Sequence, residues 1–587
     1  MTQWLLILAI LLPLASALGV ALAPARLTKS VAVLGTLAAL GVTLVAAYVF
    51  PWENPAVMQL GMEEPIRWIP SLGLELQVGV DSIALMLVLL TALLGPICVI
   101  SSFSAIKERE KTYYAWLLVL QAAVTGVFCA RDVIFFYICF EFTLIPMFVL
   151  ISLWGSTNRK KAALKFFLYT FTGSVIALAG LVYVAWFNTH KGNGQAYWTF
   201  NIDTLAATAR GMPLRDQTWV MFALLAGFAV KVPLFPVHTW LPLAHTEAPT
   251  AGSVVLAGVL LKLGTYALLR FVLPFVPDAV VTFAPLIAAT CVVGILYGGL
   301  ICWVQTDVKK LVAYSSIAHL GFCVLGMFAL NNAGIAGSVL YMINHGLSTG
   351  ALFLLIGMVY ERYHTRSMKE LGGLAAKMPV WSTFMVFFTM ASIGLPGLNG
   401  FVSEFLCVMG TFQSSTAWGS GIWHSFGHQV GTTRGELGPW FAIIAGTGMI
   451  IAAMYLLYML GKIVWGPLKV PGGHDSHGHG SHGDSDHAAL PTDLNLREIG
   501  VLVPLAVLCI ALGVYPKPLV DVIREPADQI VKLANQSRAR IGVVPAPKQA
   551  QAPASDRAPG AEHLPGAEHL ESLDADMSPA ATPEVPQ

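Results

Sequence analysis

The chain has 587 residues, of which 11% are Asp, Glu, Lys or Arg and 56% are hydrophobic. Soluble domains carry about 25% charged residues, so this composition, with a mean hydropathy of +0.69, excludes an ordinary soluble enzyme and indicates a membrane protein. The formal net charge of +1 provides no extended basic field for nucleic acid. The eight cysteines form no C-x-x-C pair, and no nucleotide-binding glycine motif is recognised, so no redox cofactor or nucleotide site is predicted in this chain.

About 14 apolar segments are long enough to cross a bilayer as helices, since a crossing needs about 20 residues. In chain order they cover 3–23, 30–50, 80–103, 113–130, 133–153, 163–186, 217–240, 251–273, 279–304, 311–330, 337–359, 379–410, 439–465 and 498–515. The first segment is interpreted as an uncleaved span, because no Lys or Arg precedes Arg26. The predicted fold class is an all-α, multi-pass membrane protein.

Lys and Arg residues are divided unevenly between the two sets of loops. Loops after odd-numbered segments hold about 18 of them and the opposite loops about 7, and positively charged loops face the cytoplasm. Because the number of segments is even, both termini are predicted to lie on the non-cytoplasmic side of the membrane.

Two parts of the chain are predicted to lie outside the membrane. Residues 471–497 form a His-rich linker, which is interpreted as a solvated connection on the cytoplasmic side. Metal binding by this linker is the alternative, with His474, His477, His479 and His482 as ligands. From 541 to 587 the chain is rich in Pro, Ala and Glu and has too few apolar residues to offset the entropy of ordering, so disorder is expected.

Several ionisable residues stand well inside predicted spans, where each charge costs about 2.5–3.5 kcal/mol on insertion. Lys262 is about 11 residues from either end of its segment, some 16 Å along a helix, so its ammonium group cannot reach the interface. The charged residues are Glu141, Lys231, Lys262 and Glu404, and two histidines, His319 and His345, lie inside two further predicted spans.

These residue types suit proton transfer. Burial favours the neutral form of a lysine and a nearby carboxylate favours its charged form, while a neutral imidazole both accepts and donates protons. The alternative, in which the same groups form static ion pairs or helix-to-helix hydrogen bonds, stays open for each residue taken alone.

Two of the predicted spans are interrupted beside a charged residue. Pro233 and Pro236 follow Lys231 closely, and a Gly/Pro-rich stretch within 379–410 precedes Glu404. Interrupted helices are tolerated at membrane depth only where protein or water satisfies the backbone, and a pair of them in corresponding places of two halves indicates a transport site. Proline kinks that serve only packing are the alternative.

Three long motifs resemble the antiporter-like proton-translocating family, which includes the large membrane-arm subunits of respiratory complex I (NADH-quinone oxidoreductase) and the Mrp-type sodium/proton antiporters. They read FAVKVPLFPVHTWLPLAHTEAPTAGSVVLAGVLLKLGTYALLRF (228–271), QTDVKKLVAYSSIAHLGF (305–322) and NHGLSTGALFLLIG (344–357). The resemblance covers roughly residues 80–465. With glutamate at position 404, the chain resembles the M-type members of complex I, because the L-type, N-type and Mrp members typically carry lysine at that position.

The resemblance implies 14 helices, of which helices 4–8 and 9–13 form two inverted five-helix repeats, each with a broken helix. The domains expected on this basis are helices 1–3 (1–112), the first repeat (113–273), the second repeat (274–470), the His-rich linker (471–497), helix 14 with the following segment (498–540) and the tail (541–587). The stretch 412–438 looks longer than the corresponding loop of the family.

The resemblance also implies residue roles. Glu141 would modulate the charge of Lys231 on the first broken helix, Lys262 would be the central proton relay, and Glu404 would be the terminal site. Three histidines would support the relay: His319, His345 and, as a secondary candidate, His238.

The implied activity is proton translocation coupled to electron transfer from NADH to quinone. NADH, FMN, iron–sulfur clusters and quinone would be bound by partner subunits and no cofactor by this chain. Its neighbours would be membrane lipid and other membrane-arm subunits, especially the antiporter-like L and N subunits, with no nucleic acid. The alternatives are an Mrp-type cation/proton antiporter subunit and a non-conducting membrane scaffold.

Overall fold

The computed structural model of the chain describes residues 4–62, 64–190, 198–414, 436–469 and 492–541. The four histidines predicted as alternative metal ligands, the C-terminal tail from 542 onward and most of the long stretch 412–438 lie outside these ranges. The predictions made for them therefore stay predictions.

The described chain is almost entirely helical. The first helices are α1 (Leu5–Leu22), α2 (Ala25–Val49), α3 (Ser82–Ala105), α4 (Glu110–Cys129), α5 (Val133–Trp154), α6 (Arg159–His190), α7 (Ile202–Arg210), α8 (Leu214–Lys231) and α9 (Leu241–Glu247). They are followed by α10 (Thr250–Phe275), α11 (Pro277–Trp303), α12 (Val308–Phe328), α13 (Asn332–Tyr363), α14 (Pro379–Ile393), α15 (Asn399–Gln413), α16 (Pro439–Ile463), α17 (Leu496–Val514) and α18 (Lys517–Arg540).

Twelve helices in the described ranges are long and apolar enough to cross a membrane. Each of them overlaps one predicted apolar segment. The two other predicted segments, 217–240 and 379–410, coincide with α8–α9 and α14–α15, where the helix is interrupted as the prolines and glycines predict. The predicted multi-pass helical fold is thus confirmed.

The helices differ in how far the protein itself covers them. α10 and α13 are buried along the whole of their most apolar windows and α12 along nearly all of its window, whereas only 28% of the α1 and α17 windows is buried. An apolar helix that is covered by protein lies in the interior, and one left uncovered presents its side chains to lipid. The ionisable residues on α10, α12 and α13 therefore lie in the protein interior.

Some elements outside the membrane were not anticipated. A short antiparallel hairpin pairs β1 (Ile66–Ile69) with β2 (Leu74–Leu76), with Ile66 opposite Leu76. Helix α18 also lies in a region for which the sequence suggested no structure. Its composition is too polar for a membrane span, but Ile523, Ala527 and Ala534 recur at helical spacing and are buried.

Helix α18 packs against the bundle and contacts the first residues of three helices. The contacts are Ser82 Oγ to the Val522 carbonyl (2.7 Å), Asn332 Nδ2 to Asp528 Oδ1 (2.5 Å) and Ser537 Oγ to Asp278 Oδ1 (2.5 Å). Ser82, Asp278 and Asn332 stand at the starts of α3, α11 and α13, so α18 joins the N-terminal ends of these three helices on one face of the protein.

Candidate proton-transfer site

Lys262 lies in the middle of α10, fully buried, between two π-helical turns at Leu256–Leu260 and Leu268–Val272. Its ammonium group donates a hydrogen bond to the carbonyl of Ala257, which belongs to the first of these turns, and lies 2.8 Å from His345 Nδ1. A π turn alters the regular ladder of backbone hydrogen bonds and is common at functional sites. Lys262 is therefore paired with a carbonyl and an imidazole rather than with a carboxylate.

Two glycines allow α10 and α13 to approach closely beside this pair. A Cβ atom on Gly346 would stand 2.9 Å from the Gly258 carbonyl oxygen, so any larger residue there would force the helices apart. His345 precedes Gly346 directly. The close approach explains how a histidine on α13 reaches a lysine on α10.

A second cluster surrounds Glu404 on α15. Tyr341 donates a hydrogen bond to Glu404 Oε1 (2.5 Å), and His319 Nδ1 lies 3.2 Å from the same oxygen and 2.7 Å from the Tyr341 hydroxyl. All three side chains are buried. The break between α14 and α15 places Gly394 against the other carboxylate oxygen, since a Cβ there would be 2.7 Å from Glu404 Oε2.

The two clusters adjoin each other. The rings of His319 and His345 have centroids 6.0 Å apart, and a polar cavity of about 10 Å³ lies among these two histidines, Tyr341 and Glu404. A cavity of roughly 10–15 Å³ holds one water molecule. The structure thus brings together four of the predicted site residues, Lys262, His345, His319 and Glu404, in one nearly continuous line.

Glu141 and Lys231 are near each other but are not in contact. The Lys231 ammonium donates to the Phe140 carbonyl (3.4 Å) and the Thr143 hydroxyl (3.3 Å), and it lies 4.2 Å from the centre of the Phe140 ring. Both carboxylate oxygens of Glu141 are buried and accept no hydrogen bond from the described residues. The two charges are close enough to interact electrostatically. They form no ion pair of 4.0 Å or less.

His238 lies in the connection between α8 and α9, and the structure does not join it to the line just described. It is buried with its ring 5.8 Å from Phe235 and 5.4 Å from Tyr297, centre to centre. Within the described ranges its Nδ1 atom has no hydrogen-bond partner.

Sequence reasoning did not select three buried polar residues near the site. Tyr341 contacts both Glu404 and His319, and it stands four residues before His345, so the helical spacing places it on the same face of α13. His245 and Lys309 are also buried, but they were passed over because each lies between two predicted apolar segments rather than inside one.

The fold and these side chains define a class: a multi-pass helical membrane protein with interrupted helices and a line of ionisable groups along its interior. The chain belongs to the NADH:quinone oxidoreductase/Mrp antiporter transmembrane family, whose model matches residues 130–428. The match includes every predicted site residue from Glu141 to Glu404. The family resemblance seen in the motifs is confirmed.

Two curated relatives and one solved structure agree with this assignment. The chain is 38% identical over 520 residues to NADH-quinone oxidoreductase subunit M of Rhodobacter capsulatus, covering 86% of this chain and 91% of the relative. It is 39% identical over 470 residues to NADH-ubiquinone oxidoreductase chain 4 of Marchantia polymorpha, covering 80% and 85%. A chain of respiratory complex I from Thermus thermophilus superposes with a TM-score of 0.74 at 26% identity, covering 90% of this chain and 99% of that one.

Proposed function

We propose that this chain is the M-type, proton-translocating membrane subunit of an NADH-quinone oxidoreductase. The observation that carries the proposal is the buried line from Lys262 through His345 and His319 to Glu404. The names of the curated relatives support the complex I assignment over an Mrp-type antiporter. Partner subunits would bind NADH, FMN, iron–sulfur clusters and quinone, and this chain would supply the proton path.

Proton transfer along the line needs only short steps. When His345 is neutral with an unprotonated Nδ1, that nitrogen accepts a hydrogen bond from the Lys262 ammonium, and passage of the proton leaves a neutral lysine and an imidazolium. One water in the polar cavity spans the gap to His319. From His319 the proton reaches Glu404 directly or through the Tyr341 hydroxyl.

The distance between the Glu141 carboxylate and the Lys231 ammonium would control whether the lysine keeps its proton. With the carboxylate apart from the ammonium, as in this structure, the lysine is held by neutral oxygens only. Movement of Glu141 towards Lys231 would stabilise the charged lysine, and movement away would favour release of its proton. Such a pair can couple a signal from a neighbouring subunit to proton movement.

Organisation and surroundings follow from the same proposal. Two inverted five-helix repeats would divide the chain at about 113–273 and 274–470, and the loops rich in Lys and Arg would face the cytoplasm of a bacterium. Both termini would lie on the opposite side. The neighbours in the membrane arm would be the antiporter-like L and N subunits.

Alanine substitution of the charged residues tests the proposal in the intact complex reconstituted in proteoliposomes. Lys231→Ala, Glu141→Ala and Lys262→Ala should leave the complex assembled but lower proton pumping and coupled NADH oxidation. Lys517→Ala, which removes an exposed lysine on α18, is the control and should pump normally.

Each other outcome has a definite meaning. Normal pumping by all three variants would exclude the proton path and favour a structural scaffold. Sodium-dependent proton exchange by the isolated chain would instead favour the Mrp-type antiporter.

A further inference from the structure

A cavity of about 550 Å³ opens beside the C-terminal end of α9. Its walls come from the ends of α3, α5, α9 and α13, from the loops that follow them, and from the start of α12. The Lys and Arg distribution assigns all of these regions to the cytoplasmic side. Charged residues line it, among them Glu247, Lys309, Glu361 and Arg366. It is far larger than the cavity beside Glu404, so it can hold many water molecules.

Polar contacts fix the end of α9 in the wall of this cavity. Ser156 donates to Glu247 Oε2 at 2.6 Å, and Lys309 donates to the Ala248 carbonyl at 2.5 Å. Arg366 donates to the carbonyl of Thr246 at 2.7 Å. These bonds satisfy carbonyl groups that the end of a helix leaves free, and they hold a carboxylate and an ammonium at the inner wall.

His245 lies on α9 two residues before Glu247 and is fully buried. Its ring stacks on Phe353 with centroids 4.6 Å apart and planes 4° from parallel, so the stacking contact is made by the ring face and not by the nitrogen atoms. Neither ring nitrogen has a hydrogen-bond partner among the described residues. Buried polar side-chain atoms are normally bonded to protein or water, so both imidazole nitrogens can each bind a water molecule.

The position of His245 links the cavity to the proposed proton line. It is within electrostatic range of Lys309 at the cavity wall and of Lys262 in the interior, and His345 is within range of His245 in turn. α9 also packs against α12, which carries Lys309, and leads through Pro249 into α10, which carries Lys262.

We propose that His245 is a proton relay that loads Lys262 from this cavity. One ring nitrogen accepts a proton from cavity water near Glu247 and Lys309. The other nitrogen then releases its proton, through water, to the neutral amine of Lys262, so that one proton enters and one leaves and the imidazole returns to its neutral form. This inference rests on the proposed function, because it adds an uptake branch to the same line.

The test uses His245→Ala in the intact complex in proteoliposomes, with exogenous imidazole as a chemical rescue. Proton pumping should fall about tenfold or more, since a positioned acid–base group contributes roughly 10²–10⁴-fold, and imidazole should restore part of it. Rescue by a free imidazole distinguishes a relay from a packing role. His190→Gln removes an exposed histidine at the end of α6 and should have no effect.

The outcomes separate this inference from the proposed function. Loss of pumping in Lys262→Ala with normal pumping in His245→Ala would overturn the relay and leave the proposed function intact, and normal pumping in both would overturn both. Loss of pumping in His245→Ala without rescue, in an assembled complex, would show a structural role and also overturn the relay.

A second measurement applies if His245→Ala fails to assemble. Ala105→Cys places a thiol on the cavity wall, and a membrane-impermeant cationic thiol reagent added from the cytoplasmic side should block pumping in this variant but not in the parent. Unchanged pumping after complete labelling would overturn the cavity as the uptake site.

Discussion

Gly394 offers a test of whether the position of the Glu404 carboxylate controls proton movement. Gly394 and Gly397 both lie in the break between α14 and α15 and both have left-handed backbones, with φ of 84° and 92°. A Cβ on Gly394 would stand 2.7 Å from Glu404 Oε2, whereas a Cβ on Gly397 would meet nothing within 4 Å. The two Gly→Ala variants therefore share the strain of a left-handed alanine, but only Gly394→Ala also places a Cβ against the Glu404 carboxylate.

The magnitudes follow from this geometry. A left-handed alanine costs about 1–2 kcal/mol, so both variants should lose thermal stability to a similar extent. Only Gly394→Ala must also displace the carboxylate, by about 0.7 Å to reach an ordinary contact distance. That displacement disturbs the bonds of Glu404 Oε1 to Tyr341 and His319. A lost hydrogen bond to a charged group is worth about 1.5–3 kcal/mol, which corresponds to roughly 10- to 100-fold in a proton-transfer equilibrium.

The assay compares the two alanine variants with the parent as intact complexes in proteoliposomes, measuring proton pumping and coupled NADH oxidation. We expect Gly394→Ala to lose most of its pumping and Gly397→Ala to retain it, with matched thermal unfolding temperatures. Equal pumping by the two variants, at equal levels of assembled complex, would refute the role given to the carboxylate position.

Two further predictions use smaller changes. Tyr341→Phe removes only the hydroxyl that bonds Glu404 and His319, so it should slow pumping. The control is Tyr363→Phe on the same helix, which should pump normally because the Tyr363 hydroxyl has no described partner. Equal pumping by the two variants would contradict this prediction. Asp132 caps α5 outside the membrane-spanning segment, and burial raises its pKa to about 6, so its folded state binds a proton more tightly than the unfolded state and stability falls as pH rises through about 6. Asp132→Asn keeps the capping oxygen but cannot ionise, so thermal unfolding should show it to be more stable than the parent above about pH 7, with the difference shrinking as the pH falls; a difference independent of pH would refute this.

The sequence predicted the membrane fold well because the bilayer imposes simple rules. A segment of about 20 apolar residues has few alternatives to a helix, and each apolar segment found by composition has a helical counterpart. The interruption after Lys231 was also predictable, because proline cannot continue the backbone hydrogen bonds of a helix. Helix α18 was missed because its apolar residues occupy one face only, and a search for continuous hydrophobic runs cannot detect that pattern.

The site was only partly predictable, for a different reason. A charge inside an apolar segment is conspicuous in any sequence, so Glu141, Lys231, Lys262 and Glu404 could be selected one by one. Which of them meet depends on how closely the helices pack, and that in turn depends on residues such as Gly258 and Gly346, whose importance appears only when two helices face each other. Tyr341 was overlooked because a tyrosine in a membrane helix is not unusual by itself.

The contacts divide the proposed proton path into a connected part and an open part. From Lys262 to Glu404 the polar groups are in contact or separated by space for one water, so a proton placed on Lys262 has a route that needs no large movement. Between Glu141 and Lys231 there is electrostatic proximity but no bond, and closing that separation requires a side-chain or helix movement. Under the proposed function, a conformational signal from a neighbouring subunit would therefore act at the Glu141 end. There a small displacement changes the charge interaction with Lys231 without breaking the contacts that join Lys262 to Glu404.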